Sequence, residues 1–203
     1  RSSGSRRANA ETGNTKSANF MAPVAVMTST HVYIGISLDG FIARPNGEID
    51  WLTKFGDKEA FDSYDEFMSE IDAIVLGRGT FETVLKFPKW PYDRPVFVLS
   101  NSITEVPESF KDKISAISLP PAKVLTFLSE KGLKRAYIDG GKVIQSFLAD
   151  DLIDELTVSR APILIGKGIS LFGTIDFDIQ FSHIQTKVCS NGMVRSHYKR
   201  QRS

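Results

Sequence analysis

The sequence predicts an α/β domain built on a mixed sheet with helices on its faces, and three observations carry that expectation. Strand-like and helix-like segments alternate up to Ala149. From Leu152 onward the chain reads mostly as strands, with Leu156 and Val158 alternating with Thr157 and Ser159. Asn191-Gly192 is the strongest hairpin signal in the chain, so the last strands should pair antiparallel.

Taken in order, Val32 to Ile36 is a β-branched run that ends in the turn-like Leu38-Asp39-Gly40, and Phe41-Ile42-Ala43 extends beyond it. Pro45-Asn46-Gly47 marks a turn. From Asp57, a potential N-cap, the residues Phe61, Tyr64, Phe67/Met68 and Ile71 recur at helical spacing and predict one inward-packed face. Ala73 to Leu76 is a short apolar run bounded by Gly77, the pattern of a strand buried on both sides. Thr80 to Leu85 suits a short helix, and Pro88-Lys89-Trp90-Pro91 interrupts the chain. Val96 to Leu99 is a second buried strand, and Ile114 to Ile117 a shorter third one. Pro120-Pro121 open a helix whose Val124, Leu125, Phe127 and Leu128 face the core, closed by Gly132. Ala136 to Ile138 form another strand, and Val143, Ile144, Phe147 and Leu148 another helix. Phe177, Ile179 and Phe181 alternate with polar residues as in a strand. The apolar phase then flips to Ile184 and Val188, which predicts a bulge near His183.

With 203 residues and 41% hydrophobic content the chain can bury one good core, so residues 29–203 are expected to form a single domain. Residues 1–28 open with a stretch poor in apolar groups and are expected to be a disordered tail or a non-native remnant, with Met21 or Met27 as native starts. The formal charge of +1 comes from that tail, because residues 21–203 carry 21 basic against 23 acidic side chains. That balance gives no basic surface for nucleic acid, and no segment is long and apolar enough to span a membrane. The single cysteine, Cys189, allows no intrachain disulfide and fits a reducing, cytoplasmic setting.

Two glycine turns carry the functional signal. Gly77-Arg78-Gly79-Thr80 and Asp139-Gly140-Gly141-Lys142 each stand between a predicted strand and a predicted helix. Such a turn lets backbone N–H groups and the helix dipole meet a phosphate, although a plain strand-ending turn reads the same way. Two in one domain match the two phosphates of a dinucleotide. The Rossmann fingerprint is absent, since Glu82 replaces its third glycine and the next strand ends in Ser100-Asn101 in place of a ribose-binding acid. Hydroxyl and amide groups near Arg78 suit a 2′-phosphate, hence NADP over NAD. Gly166-Lys167-Gly168-Ile169-Ser170 lacks P-loop spacing. His31, His183 and His197 have no metal-ligand spacing, and no nucleophile motif is present.

The set Ser37-Leu38-Asp39-Gly40, Gly77-Arg78-Gly79-Thr80-Phe81-Glu82 and Ile138-Asp139-Gly140-Gly141-Lys142-Val143 resembles the dihydrofolate reductase superfamily. Pro162 to Gly168 adds to the likeness, which runs from about His31 to Arg200 and is strongest for the branch containing the riboflavin-biosynthesis reductase domain. The resemblance implies a three-layer α/β/α domain with a mixed, mainly parallel sheet and a C-terminal antiparallel hairpin. It also implies NADPH as hydride donor, a small heterocyclic substrate and a homodimer. By the same likeness Gly77, Arg78, Thr80, Ser100, Asn101, Gly140, Gly141, Lys142 and Val143 would hold the cofactor, and Asp39 would border substrate and nicotinamide.

Phe41 departs from the riboflavin branch, where a basic residue usually follows Asp-Gly and helps hold a ribose phosphate. A flat heterocycle suits Phe41 better, with Arg44 as a possible replacement cation. Asp57, four residues before Phe61, is either a simple N-cap or an echo of the acid that pairs with a pterin in dihydrofolate reductases. Trp51 follows the Asp39 loop and, with Phe41 and Phe61, is expected to line the substrate cleft. The leading expectation is therefore an NADPH-dependent reductase of a pterin or related pyrimidine, dihydrofolate included. The alternatives are 5-amino-6-(5-phosphoribosylamino)uracil reductase and a non-catalytic nucleotide-binding module. Asp39 and Asp57 are the candidate catalytic acids.

Overall fold

Apolar runs that alternate in facing direction make the central strands, and the computed structural model, which describes residues 27–102, 106 and 108–202, shows how they are layered. The strands are β1 (Ser29–Ile36), β2 (Phe41–Ala43), β3 (Ala73–Gly77), β4 (Val96–Leu99), β5 (Ile114–Ile117), β6 (Arg135–Asp139), β7 (Glu155–Arg160), β8 (Ile169–Ser170), β9 (Phe181–Val188) and β10 (Val194–Arg200). The helices are α1 (Asp50–Thr53), α2 (Lys58–Ser69), α3 (Arg78–Val84), α4 (Pro121–Glu130) and α5 (Gly141–Ala149).

Eight strands form one sheet in the order β5-β4-β3-β6-β1-β7-β10-β9, and β2 with β8 forms a small second one. The pairings from β5 through β7 are all parallel, whereas β10 runs antiparallel to both neighbours. Successive side chains of a strand point to opposite faces, and the cores follow that rule. Val32, Val75, Phe97 and Ile138 pack with α4 and α5, while Ile74, Leu76, Val98 and Tyr137 pack with α2 and α3. The result is the expected three-layer α/β/α domain with a mixed, mainly parallel sheet and a C-terminal hairpin.

The bulge falls where the phase flip places it, because His197 pairs with Gln185 and Tyr198 with His183, which leaves Ile184 unopposed. Gly192 closes the hairpin at φ +83°. Three expectations need correction. Phe61 is 63% exposed, so the inward face of α2 is carried by Tyr64, Phe67 and Met68. Residues 177–180 are irregular, and β9 starts only at Phe181. Thr28 is buried and its hydroxyl donates to the Leu133 carbonyl at 2.7 Å, so the ordered domain begins before residue 29. The rest of the expected tail, residues 1–26, lies outside the described residues.

Candidate cofactor and active site

Strands β3 and β6 are neighbours, with Leu76 beside Asp139, so the two glycine turns emerge side by side at the C-terminal edge of the sheet. The helices that follow leave on opposite faces, α3 to one core and α5 to the other. Such a divergence opens a crevice beyond the strand ends, the usual ligand position in an open α/β sheet.

The turns interlock. Gly140 adopts φ +89°, and a Cβ there would collide with the Thr80 hydroxyl. A Cβ on Gly77 would stand 3.1 Å from Val143, and one on Gly141 would stand 2.9 Å from Ile42. Part of the glycine signal is therefore packing between the turns. Gly79 differs, since a Cβ there would meet nothing within 4 Å and the backbone is open to approach. Val143 is buried and supports the turn from below, while Lys142 is exposed.

Beside this cradle the end of β4 contributes a cluster of hydroxyls. Arg78 Nη1 donates to Ser102 Oγ at 3.1 Å, Ser102 Oγ lies 3.3 Å from Ser100 Oγ, and Ser118 Oγ donates to Asn101 Oδ1 at 2.5 Å. Glu82 pairs with Arg78 at 3.3 Å across one helical turn and holds its guanidinium over α3. Ser102 is an addition to the sequence expectation. Nothing in the sequence ties it to Arg78, 24 residues away.

Asp139 is the second addition. It ends β6 on the face of Tyr64, Tyr92 and Tyr137, and burial pushes its carboxyl up to about 6, with the Gly140 N–H and the Tyr137 phenol opposing that shift. A carboxylic acid poised there can release or take a proton near neutral pH. A single Asp before a Gly-Gly turn reads as turn chemistry in sequence; only the aromatic packing from three separate segments reveals its environment.

The two nominated acids are committed elsewhere. Asp39 accepts from Ser37 Oγ at 2.6 Å and from the backbone N–H groups of Gly166 at 2.8 Å and Ile165 at 3.3 Å. These bonds, that from Ser37 foremost, hold its carboxyl below the usual range, which makes Asp39 a clamp on the 165–166 loop and a poor proton donor. Asp57 is the N-cap of α2, accepting from Ala60 N at 2.8 Å, and its other oxygen accepts from Ser190 Oγ at 2.9 Å.

Among the expected substrate residues, Phe41 is half-buried against Gly168 and Phe61 is exposed. Trp51 is fully buried with Ala161, Cys189 and Met193 in a small core of its own, so it supports the fold there instead of facing an open cleft. Arg44, the expected replacement cation, pairs with Asp50 through two bonds of 2.5 and 2.9 Å. His31 and His197 both reach the same Glu155 oxygen, at 3.3 and 3.2 Å. Among the described residues no group of three or more His, Cys, Asp or Glu side chains could hold a metal ion, and no helix is long and apolar enough to cross a membrane.

Comparison with known proteins now bears on this geometry. The family model for the RibD C-terminal domain matches residues 31–195. The chain belongs to that family. It is 33% identical over 175 residues to the Bacillus subtilis (strain 168) protein named uncharacterized protein YwjB, covering 84% of this chain and 97% of that one. A crystal structure described as a putative riboflavin biosynthesis protein from Shewanella sp. PV-4 is 40% identical, with a TM-score of 0.82, and covers 86% of this chain and all of that one. Dihydrofolate reductase from Enterococcus faecalis, solved with NADP(H), shares the fold at a TM-score of 0.64 and 17% identity, over 86% of this chain and 97% of that one. The fold expected from the resemblance is thus the fold observed.

Proposed function

We propose that the chain is an NADPH-dependent reductase of a pterin or related pyrimidine. The observation that carries this reading is the pair of interlocked glycine turns at the β3/β6 divergence, flanked by Arg78, Ser100 and Ser102. The residues fit the cofactor. The open backbone at Gly79 admits a phosphate, the N-terminus of α5 adds its dipole, and the guanidinium with two hydroxyls suits a phosphate monoester. Bound NADPH would supply hydride to an electron-poor C=N or C=O carbon and end as NADP⁺.

The chain's own work is placement and proton delivery. Asp39 fixes the Ser37–Gly40 loop to the 165–166 loop and so shapes one wall. Asp139, its carboxyl pushed up to about 6 by burial, is the residue that gives the proton that accompanies hydride, to the nitrogen or oxygen of the reduced bond. It ends ionised and is reprotonated from solvent.

Family membership keeps 5-amino-6-(5-phosphoribosylamino)uracil reductase as the second reading. The apolar Phe41 after Asp39-Gly40 favours a substrate without a ribose phosphate. The test is loss of reduced-nicotinamide absorbance with NADPH and dihydrofolate, and separately with the ribosylaminopyrimidine. Oxidation with dihydrofolate alone supports the lead reading, and oxidation with the ribosylaminopyrimidine alone supports the second. Tight NADPH binding without oxidation by either would point to a non-catalytic nucleotide module.

A further inference from the structure

The edge of the sheet opposite the glycine turns, where β1 begins, holds polar groups that the proposed reductase leaves unused. Ser29 and His31 are two residues apart on β1, so their side chains share a face, and His31 is in register with Glu155 on the neighbouring strand β7. Ser29 Oγ lies 2.9 Å from His31 Nε2, and His31 Nδ1 lies 3.3 Å from Glu155 Oε2. The Ser29 hydroxyl also donates to the Lys134 carbonyl at 3.1 Å. Hydroxyl, imidazole and carboxylate thus stand in the order that nucleophilic catalysis uses.

The surroundings fix what each group does. A carboxylate can only accept, so Glu155 draws the imidazole proton to Nδ1 and leaves Nε2 as an acceptor facing the hydroxyl. Burial first, and then the charge of Arg135, lower the His31 pKa against the opposing charges of Glu155 and Asp154, which keeps the ring neutral and able to take a proton at neutral pH. From β10, His197 reaches the same Glu155 oxygen at 3.2 Å and Lys199 the other at 3.9 Å, so the carboxyl is held from a second strand. Arg135 is the register partner of Ser29 on β6, and its buried Nε has no hydrogen-bond partner among the described residues. A cation there offsets negative charge that develops beside Ser29. Ser29 is half-buried next to exposed Met27 and Lys134, so a small molecule can approach its hydroxyl from solvent.

We propose that Ser29 is an activated nucleophile that takes the acyl group of a small carboxylic ester, with His31 as general base and Glu155 as the residue that positions the imidazole. The Ser29 oxygen bonds to the ester carbon while its proton passes to His31 Nε2. The bond from that carbon to the alcohol oxygen then breaks, and His31 returns the proton to the departing alkoxide. Water, deprotonated by the same nitrogen, releases the acid and restores Ser29. Nothing is oxidised or reduced. The reaction needs no nucleotide, so its failure and that of the reductase reading are distinguishable.

A serine-selective fluorophosphonate, which loses fluoride as the serine oxygen bonds phosphorus, tests the nucleophile, with peptide mass spectrometry to locate the adduct. Release of nitrophenolate from p-nitrophenyl acetate tests acyl transfer. Ser29 is expected to carry the adduct, and Ser29→Ala to lose both the adduct and the nitrophenolate release above background. His31→Gln should slow labelling ~100-fold or more, and Glu155→Gln ~10-fold or more. Labelling of the wild-type chain should fall on acidification with a midpoint below 6.5, the ordinary histidine value. Circular dichroism checks that each variant is folded; should the buried His31 variant not fold, Glu155→Gln and the pH profile still decide. An unlabelled Ser29 would overturn the proposal. So would labelling no faster than at the exposed Ser69, labelling that neither Glu155→Gln nor acid slows, or labelling without nitrophenolate release above background.

Discussion

At the scale of single residues, the account turns on carboxyl groups whose surroundings give them different work. Asp139 carries a raised pKa because burial disfavours its charged form, so the folded protein holds its proton more tightly than the unfolded chain does. Stability from this group is greatest at low pH and is lost as pH rises from about 4, the unfolded range, through about 6. Asp139→Asn should therefore flatten the pH dependence of the melting temperature between those values, and turnover should lose its inflection near 6 and fall by at least ~10-fold. A pH–rate profile with the same inflection in the variant would remove Asp139 from proton delivery. Asp39→Asn keeps one acceptor and loses the charge, so we expect faster amide exchange at Ile165 and Gly166. Unaltered exchange at those two amides would show that the clamp is not Asp39. Neither role could be read from sequence. Asp39 acts on residues more than 120 positions away, and Tyr64 and Tyr92, which feel the Asp139 charge, come from other segments.

At the scale of elements, the glycine turns carry packing besides the proposed cofactor role. Gly140→Ala would force a Cβ onto a φ of +89° and into the Thr80 hydroxyl, so the loss should exceed ~1 kcal/mol. Adding Thr80→Ala should recover the part due to collision and leave the part due to backbone, which a double-mutant cycle by chemical denaturation separates. Equal stability of the single and double variants would mean the turns do not interlock. Elements with strong local signals were legible in sequence: Ala73 to Leu76 and Val96 to Leu99 are strands because apolar runs bounded by turns have little else to be. Weak signals misled. Phe177 to Phe181 alternates like a strand, yet residues 177–180 are irregular and Phe177 is exposed, and the two-residue β8 pairs only with β2.

At the scale of the molecule, sheet order decides where chemistry can occur. Placing β6 between β3 and β1 brings two turns that start 62 residues apart, at Gly77 and Asp139, to one edge and sends α3 and α5 apart. The sequence suggested both turns and the kind of ligand they suit, while their adjacency, the Arg78–Ser102 link and the Arg44–Asp50 pair depend on the tertiary fold. The central claim is that this edge reads the 2′-phosphate of NADPH. Calorimetric titration of NADPH and NADH into the wild-type chain and Arg78→Ala measures it directly. Loss of a charge-assisted contact of about 1.5–3 kcal/mol predicts that NADPH affinity falls ~10-fold or more while NADH affinity changes little. Equal losses for the two nucleotides, or no NADPH binding by the wild-type chain, would contradict the account.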